Sequence, residues 1–124
     1  MTTWFRGAML LLGVAFAWTV LSALVTVPRV SFVRPPSFVP EREIVTYYVR
    51  VPRHPENRLL IVTAVAEAMV VSEMRRTLNG SSQALWNVRW RLPAGTVALV
   101  ATVYDSQHEV WRDWHRLIVY SHGP

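Results

Sequence analysis

The feature that most constrains this chain is a run of twenty-one residues without a charged side chain, from Gly7 to Val27. A helix of this length extends about 31 Å at about 1.5 Å per residue, which matches a hydrocarbon core of about 30 Å. A cleaved signal peptide, the alternative, would have a shorter apolar region ending in a small-x-small motif. The sequence therefore predicts a six-residue leader, residues 1–6, followed by an uncleaved transmembrane helix, a signal anchor, over residues 7–27.

Basic residues flank the span on both sides. Arg6 precedes the span, and Arg29 and Arg34 follow it, so the positive-inside rule is nearly balanced. A short leader before an apolar span favours an N-terminus inside. All thirteen basic residues are Arg and none is Lys, which is typical of a GC-rich bacterial genome. We therefore expect a bacterial inner-membrane protein with its remaining chain on the periplasmic side, and with Trp18 facing lipid or a partner helix.

Residues 28–43 are rich in proline and in apolar side chains. Four prolines lack an amide donor and favour extended geometry in the residues before them. Phe32 and Phe38 are unusual in a free spacer. The segment is therefore interpreted as an extended strap that lies along its own domain or along a partner, and it is called the strap below.

Residues 44–122 have the pattern of a small all-β domain. Short β-branched and aromatic runs alternate with turn residues. The expected strands cover residues 44–51, 58–67, 70–78, 84–92, 96–104 and 110–120. The middle segment is ambiguous, because Asn57 could also cap a helix over residues 58–78 that ends at Asn79-Gly80. Its many β-branched residues favour two strands joined near residues 66–69.

One strand has a clear alternating pattern. Ala84, Trp86, Val88, Trp90 and Leu92 share one face, and polar side chains occupy most of the other. This alternation is typical of a sheet with one buried and one solvated face. The following run, residues 96–104, is apolar at nearly every position, as expected of a central strand.

The stretch from Leu92 to Asp105, LPAGTVALVATVYD, resembles the late strands of bacterial immunoglobulin-like and fibronectin-III-like domains. It departs from them at Val97, where such corners often carry tyrosine, and the chain lacks their Cys…Trp…Cys arrangement. The resemblance implies an immunoglobulin-like antiparallel β-sandwich over residues 44–122. It also implies a role in adhesion, spacing or docking.

The sequence carries no recognisable catalytic or cofactor-binding motif. There is no cysteine, no G-x-S-x-G motif and no glycine-rich phosphate loop. Asp113 and His115 share one face of the last strand, but two ligands do not make a metal site. The arginines are spread along the chain, which argues against nucleic-acid binding. The sequence therefore predicts no catalytic residue, no metal, no cofactor and no enzymatic activity.

The last strand is the most suggestive surface. Trp111 and Trp114 have odd spacing and so fall on opposite faces, with Arg112 and Arg116 nearby. Trp and Arg are enriched in interface hot spots. Either one tryptophan is exposed as part of a docking patch, or the strand twists and both rings pack inside.

These observations favour a membrane-anchored, non-enzymatic accessory or docking subunit of a larger bacterial membrane complex. Its expected partners are the membrane and other subunits. The alternative is a tethered extracytoplasmic module that binds a glycan or peptide. The candidate interface residues are Trp18, Phe32, Phe38, Trp111, Arg112, Trp114 and Arg116.

Overall fold

The computed structural model describes residues 28–121, and these form a small all-β domain of two sheets without a helix. The strands are β1 (Ser31–Val33), β2 (Phe38–Pro40), β3 (Ile44–Arg50), β4 (Asn57–Ala66), β5 (Met69–Thr77), β6 (Leu85–Arg91), β7 (Gly95–Asp105) and β8 (Val110–Tyr120). The expected transmembrane helix, residues 7–27, lies outside the described residues. No membrane-spanning helix is found among residues 28–121.

The two sheets face each other as a sandwich. The smaller sheet has the order β1-β3-β6, and the larger has the order β2-β8-β7-β4-β5. Strand β7 lies at the centre of the larger sheet, as its almost wholly apolar sequence predicts. Neighbouring strands are antiparallel except β2 and β8, which run parallel.

The core forms where the inward-facing rows of the two sheets meet. Strand β3 alternates strictly between exposed and buried residues. On β6, Trp86, Val88 and Trp90 face inwards and the residues between them are exposed, as their alternation predicts. Leu60 and Leu99 from the larger sheet are fully buried beneath them. Burial of these rows stabilises the domain by about 25 cal/mol per Å² of apolar surface removed from water.

The ambiguous middle segment consists of two strands, so the preferred sequence interpretation is confirmed. Strands β4 and β5 pair as an antiparallel hairpin joined by Glu67 and Ala68. Both residues have positive φ, 52° and 62°. This matches the two-residue turns whose twist suits a hairpin, although such turns usually contain Asn, Asp or Gly.

The strap lies along its own domain and contributes a strand to each sheet. Strand β1 pairs with β3, and β2 pairs with β8. The sandwich therefore includes residues before Ile44, where the sequence prediction began it. Val30 and Val39 explain this difference, because both are buried in the core, and burying them fixes the strap against the domain. The parallel β2–β8 pair also departs from the expected purely antiparallel sandwich.

Tyr47 is an unusual member of the core. Its side chain is 2% exposed, and its ring packs against the rings of Phe32 and Trp90, with centroids 5.6 Å and 6.0 Å away. Its hydroxyl is buried without a hydrogen-bond partner among the described residues. Burial raises the pKa of the Tyr47 phenol well above its ordinary value of 10.0, because the ionised form would lose its hydration.

This environment predicts the effect of Tyr47→Phe on stability. Removing an unsatisfied hydroxyl is expected to leave the free energy of unfolding at neutral pH unchanged or raised by about 1 kcal/mol. Above pH 10 the unfolded phenol releases its proton while the folded one keeps it. The wild type therefore loses about 1.4 kcal/mol per pH unit from this group as pH rises, and the variant does not. Urea unfolding of the full chain at neutral and alkaline pH checks this. An equal fall in the free energy of unfolding of the wild type and of Tyr47→Phe at alkaline pH would contradict this prediction.

Candidate docking surface

Strand β8 presents two rows of side chains with different surroundings. Its odd-numbered residues point towards the sandwich interior, where Leu117 and Val119 are buried. Its even-numbered residues point outwards, and Trp114 is 69% exposed. Because side chains alternate along a strand, Trp111 and Trp114 lie on opposite faces of the sheet.

Trp114 lies in the middle of the outward row. The register places it opposite Val100 on β7. Arg112 and Arg116 lie two residues before and after it on the same face, about 7 Å away along the strand, and both are exposed. The outer face of the larger sheet thus carries an exposed indole with a cationic side chain on each side.

Apolar side chains extend this surface in both directions across the sheet. Towards β4, Ala98 lies opposite Arg116, and Val65 lies opposite Ala98. Towards β2, Phe38 lies beside Ile118 and is 68% exposed. We call this surface the outer patch. It consists of Phe38, Val65, Ala98, Val100, Trp114 and Ile118. Phe38 and Trp114 are exposed, and the other four are partly buried. An exposed apolar surface with a polar rim is typical of an interaction site.

The inward row of β8 holds the strap against the domain. The Arg29 guanidinium lies over the Trp111 ring, 4.0 Å from its centroid, and Arg29 Nη2 donates to Asn57 Oδ1 at 2.7 Å. Further along, the backbone N–H of Phe32 donates to Asp113 Oδ2 at 2.9 Å. These contacts join residues more than twenty-five positions apart and order the strap.

His115 continues the same row. Its Nε2 lies 3.0 Å from the carbonyl oxygen of Pro36 and 3.4 Å from Ser37 Oγ. The carbonyl accepts, so Nε2 carries a proton when this bond forms. Asp113 and His115 thus bind the strap. Among residues 28–121 no group of three or more His, Cys, Asp and Glu side chains could hold a metal ion.

The structure brings together only part of the predicted interface. Phe38, Arg112, Trp114 and Arg116 share the outer face of the larger sheet. Phe32 is partly buried against the core, and Trp111 stacks under Arg29, so neither belongs to the outer patch. Trp18 lies outside the described residues.

The fold is shared with known proteins, although no family model and no curated protein sequence matches the chain. Superoxide reductase (neelaredoxin) from Ignicoccus hospitalis is 17% identical, with 73% of this chain and 79% of that chain covered and a TM-score of 0.59. A variant of the same enzyme is 16% identical, with 78% of this chain and 84% of that chain covered and a TM-score of 0.62. The fibronectin(III)-like modules of Clostridium thermocellum CbhA are 13% identical, with 74% of this chain and 97% of that chain covered and a TM-score of 0.50.

These comparisons correct one expectation from the sequence. The prediction of no enzymatic activity is contradicted, because the same fold occurs in superoxide reductases, which are enzymes. The fibronectin(III)-like neighbour agrees with the resemblance over Leu92–Asp105 at the level of an all-β fold. At 18% identity or less, the similarity shows the fold alone.

Proposed function

We propose that the protein is a docking subunit of a larger bacterial membrane complex and that it binds a partner subunit through the outer patch. Its β-domain is proposed to be immunoglobulin-like, to lie on the periplasmic side and to be anchored in the inner membrane by Gly7–Val27. The uncharged length of that segment supports the anchor. The fibronectin(III)-like neighbour supports the immunoglobulin-like assignment.

The exposure of Trp114 is the observation that carries the docking role. A tryptophan buries about 150–250 Å² when it is covered, so leaving its ring in water forgoes a large stabilisation. The domain has an interior in which the other described tryptophans are at least partly buried. An indole held on the outer face of a sheet, on a strand paired with β7, is pre-organised for a partner.

The arginines on either side of Trp114 define the chemistry of the partner surface. Arg112 and Arg116 are exposed, and no hydrogen bond or ion pair within residues 28–121 engages their side chains. Arginine forms bidentate hydrogen bonds with carboxylates and stacks on aromatic rings. The partner surface is therefore proposed to carry an apolar pocket for Trp114 with carboxylates at its rim.

Sizing the protein from native membranes tests this function. The full chain, tagged at its C-terminus, is extracted in a mild detergent and sized, and comigrating proteins are identified by mass spectrometry. A defined complex of fixed stoichiometry is the expected result. A species no larger than a monomer or dimer with its micelle would contradict the proposal, and the alternative of a soluble glycan or peptide ligand would then be tested on the purified chain.

A further inference from the structure

The free edges of the two sheets are distributed unequally over the sandwich. On one side the strap supplies both edge strands, β1 and β2, which are only three residues long. On the other side the edges are β5 with nine residues and β6 with seven. Short edge strands and prolines prevent pairing between sheet edges of different molecules. The strap therefore protects β8 at residues 118–120 and β3 at residues 48–50. We call the β5/β6 side the open side.

Most residues of the two strands on the open side are exposed. A cleft of about 440 Å³ separates the two edges and is lined by residues 73–76 of β5 and 87–90 of β6. Strand β5 contains no proline, and most of its residues are exposed, with Met69 and Val70 among them. The backbone N–H and C=O groups of β5 that point away from β4 have no strand to pair with among the described residues. Such an edge is a template for another strand.

The charges on β5 indicate which strand fits. Glu73 lies opposite Thr63, and Arg75 lies opposite Ile61, so both side chains point to the outer face of the sheet. No hydrogen bond or ion pair within residues 28–121 engages either side chain. Glu73 and Arg75 carry opposite charges, two residues apart on one face. When a second copy of the strand lies antiparallel to the first, the glutamate of each copy can lie opposite the arginine of the other.

Only one register of a symmetric pair uses this complementarity. In an antiparallel pair, directly opposite residues point to the same face of the sheet. A two-fold axis perpendicular to the sheet must therefore place one residue opposite its own copy, and we name the axis by that residue. An axis at Glu73 places the two glutamates opposite each other, and an axis at Arg75 does the same with the two arginines. An axis at Met74 places Glu73 opposite the partner's Arg75, and Arg75 opposite the partner's Glu73. Opposite charges stabilise a cross-strand pair, and like charges destabilise it.

We propose that β5 pairs antiparallel with β5 of a second copy of this chain, about a two-fold axis at Met74, and joins the two five-stranded sheets into one. The contact is isologous, as in most homodimers. It uses the edge of the larger sheet and leaves the outer patch of each copy free. The inference therefore does not depend on the proposed docking function.

Cysteine cross-linking tests the register, because the natural chain contains no cysteine. With the axis at Met74, the two copies of residue 74 have Cα atoms about 5 Å apart, within the range that a disulfide spans. The two copies of Ser72 are displaced by four residues, about 14 Å along the strand. The purified full chain in detergent is oxidised mildly. Met74→Cys is expected to give a disulfide-linked dimer and Ser72→Cys is not. Cross-linking of neither variant, of both equally or of Ser72→Cys alone would overturn the proposal.

Charge exchange tests the same contact without a covalent bond. The dimer fraction of the full chain is measured by sedimentation over a range of concentrations. Glu73→Arg is expected to weaken the dimer at least tenfold, because it places arginines opposite arginines. Adding Arg75→Glu to the same chain is expected to restore it. A double variant as weak as the single one would overturn the proposal. A wild-type protein that stays monomeric over the whole concentration range would also overturn it. The free edge of β5 would then be available to an extended segment of another protein.

Discussion

Replacing Trp114 with alanine is expected to release the protein from its complex while the domain stays folded. The side chain is 69% exposed, so its removal should change the free energy of unfolding by no more than about 0.5 kcal/mol. A central tryptophan at an interface typically contributes about 2–4 kcal/mol to binding when truncated. We therefore expect affinity for the partner to fall by about 30- to 1,000-fold. Sizing the tagged variant from native membranes, beside its thermal unfolding curve, measures both effects.

Tyr48→Ala is the matched control for this variant. Tyr48 is also an exposed aromatic residue on a strand, but it lies on the outer face of the smaller sheet. The variant Tyr48→Ala should therefore leave the complex intact. Arg116→Glu should weaken the complex without unfolding the domain, because it reverses one charge beside the indole. Equal loss of the complex in Trp114→Ala and Tyr48→Ala would assign the effect to general destabilisation and contradict a specific role for the outer patch.

The second large effect is expected on stability, from Asp113→Ala. The carboxylate accepts the backbone N–H of Phe32 at 2.9 Å in a partly buried position. Its removal leaves that N–H without an acceptor as the strap enters the first strand. We expect the free energy of unfolding to fall by about 1–3 kcal/mol. Urea unfolding of the purified full chain measures this change. Hydrogen exchange of residues 31–40 should increase more than exchange of the central strand β7.

Asp113→Asn separates the hydrogen bond from the loss of the side chain. The amide oxygen of asparagine can still accept from the Phe32 N–H, although it carries no charge. Its destabilisation should therefore be smaller than that of Asp113→Ala. If the two variants are equally unstable, or if neither is destabilised, the strap does not depend on this bond.

The strands could largely be predicted from the sequence, because each carries a local signal. The alternation around Trp86 and Trp90 predicts an inward row, and the apolar run of residues 96–104 predicts a central strand. Both are found. The hairpin between β4 and β5 lacked such a signal. Glu67 and Ala68 have the positive φ of a tight turn but not its usual residues, which left a helix open as an alternative.

The strap and its contacts could not be predicted, because they depend on pairing between distant residues. The prolines of residues 28–43 indicated an extended chain but not the surface that it lies on. Asp113 and His115 bind backbone atoms of Phe32 and Pro36, about eighty positions away. Nothing in the spacing of two side chains on one strand indicates a backbone partner at that distance. The sequence alone indicates only that the two side chains share a face of the strand.

The fold that the chain shares with superoxide reductases could not be predicted from local motifs either. The shared property is the arrangement of strands, at 17% identity. The candidate surface was partly predictable. The odd spacing of Trp111 and Trp114 places them on opposite faces. Which of the two is covered depends on Arg29, which stacks on Trp111 from the strap.

Photo-crosslinking from position 38 is the most direct test that the outer patch is a docking surface, because it leaves Trp114 in place. A photoreactive phenylalanine analogue replaces Phe38, which is 68% exposed, in the full chain, or replaces Tyr48 in a matched control, and native membranes are irradiated. One partner protein cross-linked from position 38 and not from position 48 is the predicted result. No product at position 38, or the same set of products from both positions, would contradict the proposal that this face binds a partner.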